Sequence, residues 1–140
     1  MPIEQSHINK LRDMLGSNGL ICSTNEMGPY LHEERGLAVG KADLVTRPAS
    51  VSEVASIVKF CAREKIPITP VGGSTGLVGG ALAQGGLVLA TDRLTKIIEI
   101  DSINKTMVAE AGCILANLQF AAAEKDCLFP LSLGAEGSCR

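Results

Sequence analysis

The chain has 140 residues, a formal charge of -2, 46% hydrophobic residues and only 3% aromatic ones. That length suits one small domain, the near-neutral charge gives no electrostatic footprint for nucleic acid or anionic lipid, and the apolar content excludes wholesale disorder. Glycine is in excess: 15 residues against the roughly ten that ordinary usage of about 7% would give.

In chain order, the opening MPIEQSHINK has no apolar core and does not read as a secretory signal. Ile8, Leu11 and Leu15 share one face of a helix over Ser6 to Leu15, which Gly16 and Gly19 stop. Ser23 to Gly40 mixes glycine, proline, charge and Tyr30. It reads as an irregular surface connection, or as the place where the true domain begins, and Glu33, Glu34 and Arg35 within it read as a solvated charge run. Residues 1–40 are therefore expected to be an N-terminal helix and extension, and residues 41–140 the domain proper.

From Asp43 the pattern is regular. Leu44 to Thr46 is a strand ended by Arg47-Pro48. Ser50 is an N-cap with Glu53 three residues on, a capping box in which the cap contributes about 1 kcal/mol. Val51, Val54, Ala55, Val58, Cys61 and Ala62 then mark the expected inner face of a helix to about Glu64. Ile66 to Val71 is the next strand, and Pro67 pushes it toward a sheet edge or a strand start. A strand-helix-strand unit of this kind should cross over right-handed, with its strands parallel. After a glycine-rich stretch come Leu87 to Ala90, Ile97 to Ile100 and Met107 to Glu110, expected to form a three-stranded meander. Asp92, Arg93, Asp101 and Lys105 read as turn and surface charges. A second helix over Ile114 to Lys125 shows Ile114, Leu118, Ala121 and Ala122 on one face, and a Gly/Ser-containing tail runs from Leu128 to Arg140. The fold class is α+β.

Five dispersed cysteines without a C-x-x-C pair favour neither a disulfide framework nor a zinc site and read as reduced thiols of a cytoplasmic protein. His7 and His32 have no partner at metal-ligand spacing and read as surface or packing residues. No metal site is expected.

Seven glycines (Gly72, Gly73, Gly76, Gly79, Gly80, Gly85 and Gly86) fall between Ile66 and Thr91, a stretch without a single Asp, Glu, Lys, Arg or His. Pro67, Pro70 and several hydroxyls argue against a membrane span there. Walker A needs a lysine after its last glycine, and the Rossmann fingerprint needs glycines at i, i+2 and i+5; neither pattern is present. What remains is Pro70-Val71-Gly72-Gly73-Ser74-Thr75-Gly76-Leu77-Val78-Gly79-Gly80 after a strand. Ser74 and Thr75 place two hydroxyls among glycines able to take positive φ. Hydrogen bonds to a charged acceptor contribute about 1.5–3 kcal/mol each, so four or five neutral donors would hold a pyrophosphate without a cation. On residues alone, an anion site competes with a flexible apolar loop or with tight backbone packing at a sheet corner.

The run Pro70 to Gly80 resembles the FAD pyrophosphate loop of the vanillyl-alcohol oxidase / p-cresol methylhydroxylase (PCMH-type) flavoproteins. It looks most like the branch of D-lactate, D-2-hydroxyglutarate and glycolate oxidase subunit enzymes. The resemblance covers about Val45 to Arg140 and includes Arg47-Pro48, Ser52-Glu53-Val54, Ala111-Gly112-Cys113, Phe129-Pro130-Leu131 and Leu133 to Cys139. It implies the N-terminal part of a PCMH-type FAD-binding domain. Pro70, Gly72, Gly73, Ser74, Thr75 and Gly76 would form the pyrophosphate turn, and Leu77, Gly79 and Gly80 its continuation. Pro130, Leu131, Gly134, Ala135, Ser138 and Cys139 would form a second FAD segment.

Family members with covalent flavin carry a histidine where Thr75 falls, which implies non-covalent FAD here. The branch usually has an acidic residue where Ser132 stands. Cys139 is expected to be a small packing residue rather than a redox group. For the whole protein the resemblance implies a small-molecule D-2-hydroxy acid substrate, an electron acceptor and hydride transfer to flavin. Its catalytic residues are expected beyond Arg140, so the chain reads as an N-terminal fragment, inactive alone. A homodimer is left open. A cofactor or interaction module without catalytic activity is the alternative, and an enolpyruvyl reductase of the same fold fits the tail poorly.

Overall fold

Four strands make the central sheet of the structure, a computed structural model that describes residues 3–140. Its elements in chain order are α1 (Gln5–Leu15), β1 (Leu20–Ile21), α2 (Thr24–Leu31), β2 (Leu44–Thr46), α3 (Val51–Glu64), β3 (Ile68–Val71), β4 (Leu87–Ala90), β5 (Ile97–Asp101), β6 (Thr106–Ala109) and α4 (Leu115–Ala123). The sheet order is β1-β2-β4-β3. β1 runs antiparallel to β2, whereas β2 and β3 both run parallel to β4, with Leu44 and Ile68 on either side of Leu87. The fold is α+β. β2 and β3 are parallel as expected but separated by β4, and β3, with its internal Pro70, takes the edge where a missing N–H is tolerated.

The expected meander does not form. β4 leaves it to become the central parallel strand, while β5 and β6 pair only with each other as an antiparallel hairpin. The reason lies in the side chains. Leu87-Val88-Leu89-Ala90 is apolar throughout and buried at all four positions, as a strand covered on both faces must be. β5 and β6 carry polar residues and stay partly exposed. Their turn is organised by Asp101, whose Oδ1 accepts from the N–H groups of Ile103 and Asn104, both at 2.9 Å.

The period-two alternation of the strands feeds two cores. Leu44, Leu87 and Leu89 pack with Leu11, Leu15, Ile57, Phe60 and Cys61 of α1 and α3 on one face. Val45, Val88, Ala90 and Val71 pack with Met27 and Leu31 of α2 and with Ala83 on the other. α2 lies where the sequence reads as irregular. It forms because Met27 and Leu31, four apart, both reach that second core, even though Pro29 sits inside the helix.

α3 starts and stops as the sequence indicates. The Glu53 N–H donates to Ser50 Oγ at 3.2 Å, and the Glu53 carboxylate reaches back to the Ala49 N–H at 2.7 Å. Lys65 ends it in the left-handed region at φ 54. Its inner face is rotated in part from the expected one: Cys61 is buried and Val54 packs against the core as expected, but Ile57 and Phe60 join them while Val51 and Val58 are 67% and 45% exposed. The helix carries two apolar stripes, and the one with the larger side chains removes more surface from water.

The five cysteines are free, and burial pushes the Cys61 thiol up to about 11. Among the described residues no helix is long and apolar enough to cross a membrane. The rotated face is testable by urea denaturation: Ile57→Ala should destabilise the chain by about 2–5 kcal/mol, whereas Val58→Ala should stay within about 0.5 kcal/mol of the parent.

Candidate functional site

Three connections leave the carboxyl edge of the parallel strands side by side: Arg47 after β2, Gly72 onward after β3, and Thr91-Asp92 after β4. That edge is where open α/β sheets take their ligands. Thr91 ties two of the connections together through its N–H, which donates to the Val71 carbonyl at 3.0 Å. Arg47 ties in the third, donating through Nε and Nη2 to Asp92 Oδ2 at 2.9 and 2.7 Å. The Tyr30 hydroxyl donates to the same oxygen at 3.2 Å, and Arg93 Nη1 donates to the Arg47 carbonyl at 2.9 Å.

Asp92 and Arg93 are therefore not plain surface charges. Their partners lie 45 or more residues away in sequence, and the Asp92 Oδ1 atom is buried without a partner among the described residues. Burial, and then the Asp92 carboxylate, push the Tyr30 phenol above its usual range.

The glycine loop starts from Pro70, which sits in β3 opposite Leu89. Among the described residues, none of the backbone N–H groups from Gly72 to Ala81 donates to another protein group. The half-buried part of that row, Gly72 to Thr75, offers unpaired donors of the kind a bound anion can accept from. Ser74 takes φ 54 and its hydroxyl donates to the His32 carbonyl at 3.1 Å, which anchors the loop rather than leaving that group free. Thr75 is half-buried, and Leu77 and Gly80 are exposed. Gly79 takes φ 72, which favours glycine, and a Cβ at Gly76 or Gly80 would meet nothing within 4 Å.

The structure brings the tail to this loop. A Cβ on Gly73 would overlap the Ser138 carbonyl oxygen, and one on Gly72 would lie 3.1 Å from the Arg140 carbonyl oxygen. The tail is held there by α4. The N–H groups of Leu115 and Ala116 donate to the Cys139 and Glu136 carbonyls at 2.9 and 3.1 Å. Gln119 Nε2 donates to the Leu131 carbonyl at 2.7 Å. Ala135 closes a turn by accepting from the Ser138 and Cys139 N–H groups, and a Cβ at Gly134 would meet open space. Leu131 and Cys139 line one cleft of about 220 Å³ between the tail and α4. Pro130 instead lines a separate cleft of about 200 Å³ against β6, where no contact with the glycine loop is made.

One charge cluster is misplaced by sequence reasoning. Glu33 is buried, not solvated: it accepts from Arg35 Nε at 2.7 Å and from the N–H groups of Arg35 and Leu37. The bond from Arg35 holds its carboxyl below the usual carboxylate range. Arg35 goes on to reach the glycine loop. Its acceptor lies 42 residues away, so no local pattern marks it.

A sheet whose three parallel strands send a glycine loop with unpaired N–H donors from their carboxyl edge, met there by a second loop segment, has the layout of a cofactor-binding domain. The comparisons agree. The model of the family described as FAD binding domain matches residues 42–139, and the chain belongs to that family. D-2-hydroxyglutarate dehydrogenase, mitochondrial, of Danio rerio is 36% identical over 101 residues, covering 71% of this chain and 19% of that protein. The Arabidopsis thaliana protein of the same name is 28% identical over 142 residues, covering 98% of this chain and 25% of that protein. A crystal structure of p-cresol methylhydroxylase with substrate bound superposes with a TM-score of 0.77 at 24% identity, covering 99% of this chain and 29% of that one. The chain thus spans a quarter or less of the length of these two dehydrogenases and 29% of the p-cresol methylhydroxylase chain.

The residues present fit FAD. The unpaired N–H row and the open space beside Gly76 and Gly80 leave room and donors for a pyrophosphate.

Tail docking should depend on pH. Bonds from Ser132, Gln119 and the Leu133 N–H hold the Glu136 carboxyl below its ordinary 4.5. A lowered folded value means that docking is fully supported above the ordinary value and weakens as pH falls through the lowered one. Amide resonances of Ser138 and Cys139 followed by NMR should shift toward disordered positions on acidification. Glu136→Gln should remove most of that dependence.

Proposed function

We propose that this chain supplies the pyrophosphate-binding part of the FAD site in a flavoprotein that oxidises a D-2-hydroxy acid to the 2-oxo acid. The observation that carries the reading is the meeting of the two segments at Gly72–Gly73 and Ser138–Arg140, with the loop N–H groups left free. Gly72, Gly73, Thr75, Gly76, Gly79 and Gly80 would present backbone or hydroxyl donors, Ser74 and Leu77 would fix the turn, and Ala135, Ser138 and Cys139 would flank the cofactor from the tail. With threonine rather than histidine at position 75, the flavin would be held without a covalent link. FAD bound there supplies the two-electron acceptor for the hydride on the substrate carbon bearing the hydroxyl.

The substrate class rests on the names of the relatives, which are D-2-hydroxyglutarate dehydrogenases. Those names also say mitochondrial, so a cytoplasmic location is not carried forward. The five free thiols fit a reducing compartment in either case. Residues 41–140 would form the flavin-binding unit, flanked by residues 1–40. Substrate contacts and the base that takes the hydroxyl proton would come from elsewhere in the whole enzyme, leaving these 140 residues inactive on their own.

FAD titration followed by flavin fluorescence tests the reading. The parent chain should take up FAD, and Gly73→Val should abolish uptake, because the new side chain would drive the tail off the loop. A parent that leaves flavin fluorescence unchanged would overturn the reading. Uptake undiminished in Gly73→Val would show that the meeting of loop and tail is not the binding site.

A further inference from the structure

Residues 32–37 touch the glycine loop at two points. Ser74 Oγ donates to the His32 carbonyl at 3.1 Å, and Arg35 Nη2 donates to the Leu77 carbonyl at 2.6 Å. Arg35 is itself aimed. Its Nε lies 2.7 Å from Glu33 Oε1, and its own N–H and that of Leu37 bind Glu33 Oε2 at 3.1 and 3.3 Å. The Glu33 side chain is only 4% exposed while that of Arg35 is 51% exposed, so the carboxylate is the fixed member and the guanidinium the reaching one. The segment has its own frame: the Gly36 N–H donates to the Glu33 carbonyl at 2.8 Å, the Glu33 N–H to Ala38, and the Gly40 N–H to Leu31 at 2.7 Å.

We propose that Glu33 and Arg35 are positioning residues that hold the glycine loop in its binding conformation, Glu33 by orienting the guanidinium and Arg35 by holding the Leu77 carbonyl. This rests on the FAD reading of the loop. The physical need is clear. Glycine-rich backbone loses more conformational freedom on ordering than any other, and a ligand must oppose that loss unless the protein has already done so. Securing the Leu77 carbonyl and the Ser74 hydroxyl from one rigid segment restrains the stretch that carries the free N–H groups. The pair is an ion pair of zero net charge, so it adds order rather than positive potential. Loss of both charges together, as in Glu33→Gln with Arg35→Gln, leaves the net charge unchanged and should therefore weaken binding by a similar factor at low and high salt, unlike loss of a phosphate-contacting cation.

The test uses the 140-residue chain with two readouts: backbone 15N relaxation of the loop amides, and FAD affinity from flavin fluorescence. Arg35→Ala should lower the order of Leu77 to Gly80 while leaving α3 amides unchanged, and should raise the Kd for FAD roughly five- to thirtyfold; the charge-neutral Glu33→Gln/Arg35→Gln pair should weaken binding by a similar factor at low and high salt. Arg35→Lys, which keeps a donor without the fork, should recover part of both. Should Arg35→Ala fail to fold, Arg35→Gln provides the same two measurements with the same expected direction. Loop order equal to the parent, a Kd within about twofold of it, or loss of order spread equally through α3 would each overturn the proposal. If the parent takes up no FAD, the flavin reading fails while the relaxation measurements still decide whether Arg35 orders the loop.

Discussion

Insertion of β4 between β2 and β3 is the constraint from which the candidate site follows. A four-residue strand in that position pairs on both edges, to Leu44–Thr46 on one side and Ile68–Val71 on the other. It is also covered on both faces, Leu87 and Leu89 by α1 and α3, Val88 and Ala90 by α2. Complete burial of such side chains stabilises by roughly 1.5–3 kcal/mol for each large one. Because all three strands are parallel, their carboxyl ends fall on one edge, and Arg47, Gly72 and Thr91 leave the sheet next to one another. The Arg47–Asp92 pair and the bond from Thr91 to Val71 then lock the three exits. Had β4 stayed in a meander with β5, the glycine loop would have left an edge with no neighbour on which to build.

The second half of the site depends on an unsatisfied helix end. α4 begins at Ile114, which offers no side-chain cap, so its first N–H groups need acceptors from elsewhere. The Cys139 and Glu136 carbonyls provide them, and this draws the tail back across the molecule. Ser138 consequently lies against Gly73, where only glycine leaves room for its carbonyl. Gly73 is thus required first by the protein's own tail, not simply by the approach of a cofactor as the motif alone implies.

Much of this was legible in the sequence, and the failures share a cause. The Ser50–Glu53 cap, the end of α3 at Glu64 and the edge position of the proline-bearing strand are all local, and all were readable. The full inner face of α3 is not, because Val51 and Val58 extend the stripe of Val54 and Cys61 as acceptably as Ile57 and Phe60 do, and only the packed sheet selects the bulkier pair. The role of β4 did leave a signal: four consecutive apolar residues mark a strand buried on both faces, whereas the mixed β5 and β6 do not. Arg35 and Asp92 read as surface charges because each is bound to a group more than 40 residues away, whereas Glu33 is buried although its partners, Arg35 and Leu37, are two and four residues away. The glycine run after a strand is legible as a distinct loop; the helix α2 and the contacts of residues 32–37 with that loop are not, since polar composition looks the same in a solvated connection and in a packed one.

The charges around the loop explain why its donors are neutral. Gly72 to Ala81 contains no lysine or arginine, and Arg35 and Arg47 are each already committed to a carboxylate. Within the loop itself, backbone N–H dipoles and the Thr75 hydroxyl are the donors open to an anion, with Arg140 of the tail lying against Gly72 as a neighbouring cation. Such donors are individually weak in water but gain when the acceptor is charged and the surroundings exclude solvent, at about 1.5–3 kcal/mol each. A single phosphate would engage few of them, while a pyrophosphate laid along the loop would engage several at once. A row of neutral donors therefore favours an extended diphosphate over free phosphate.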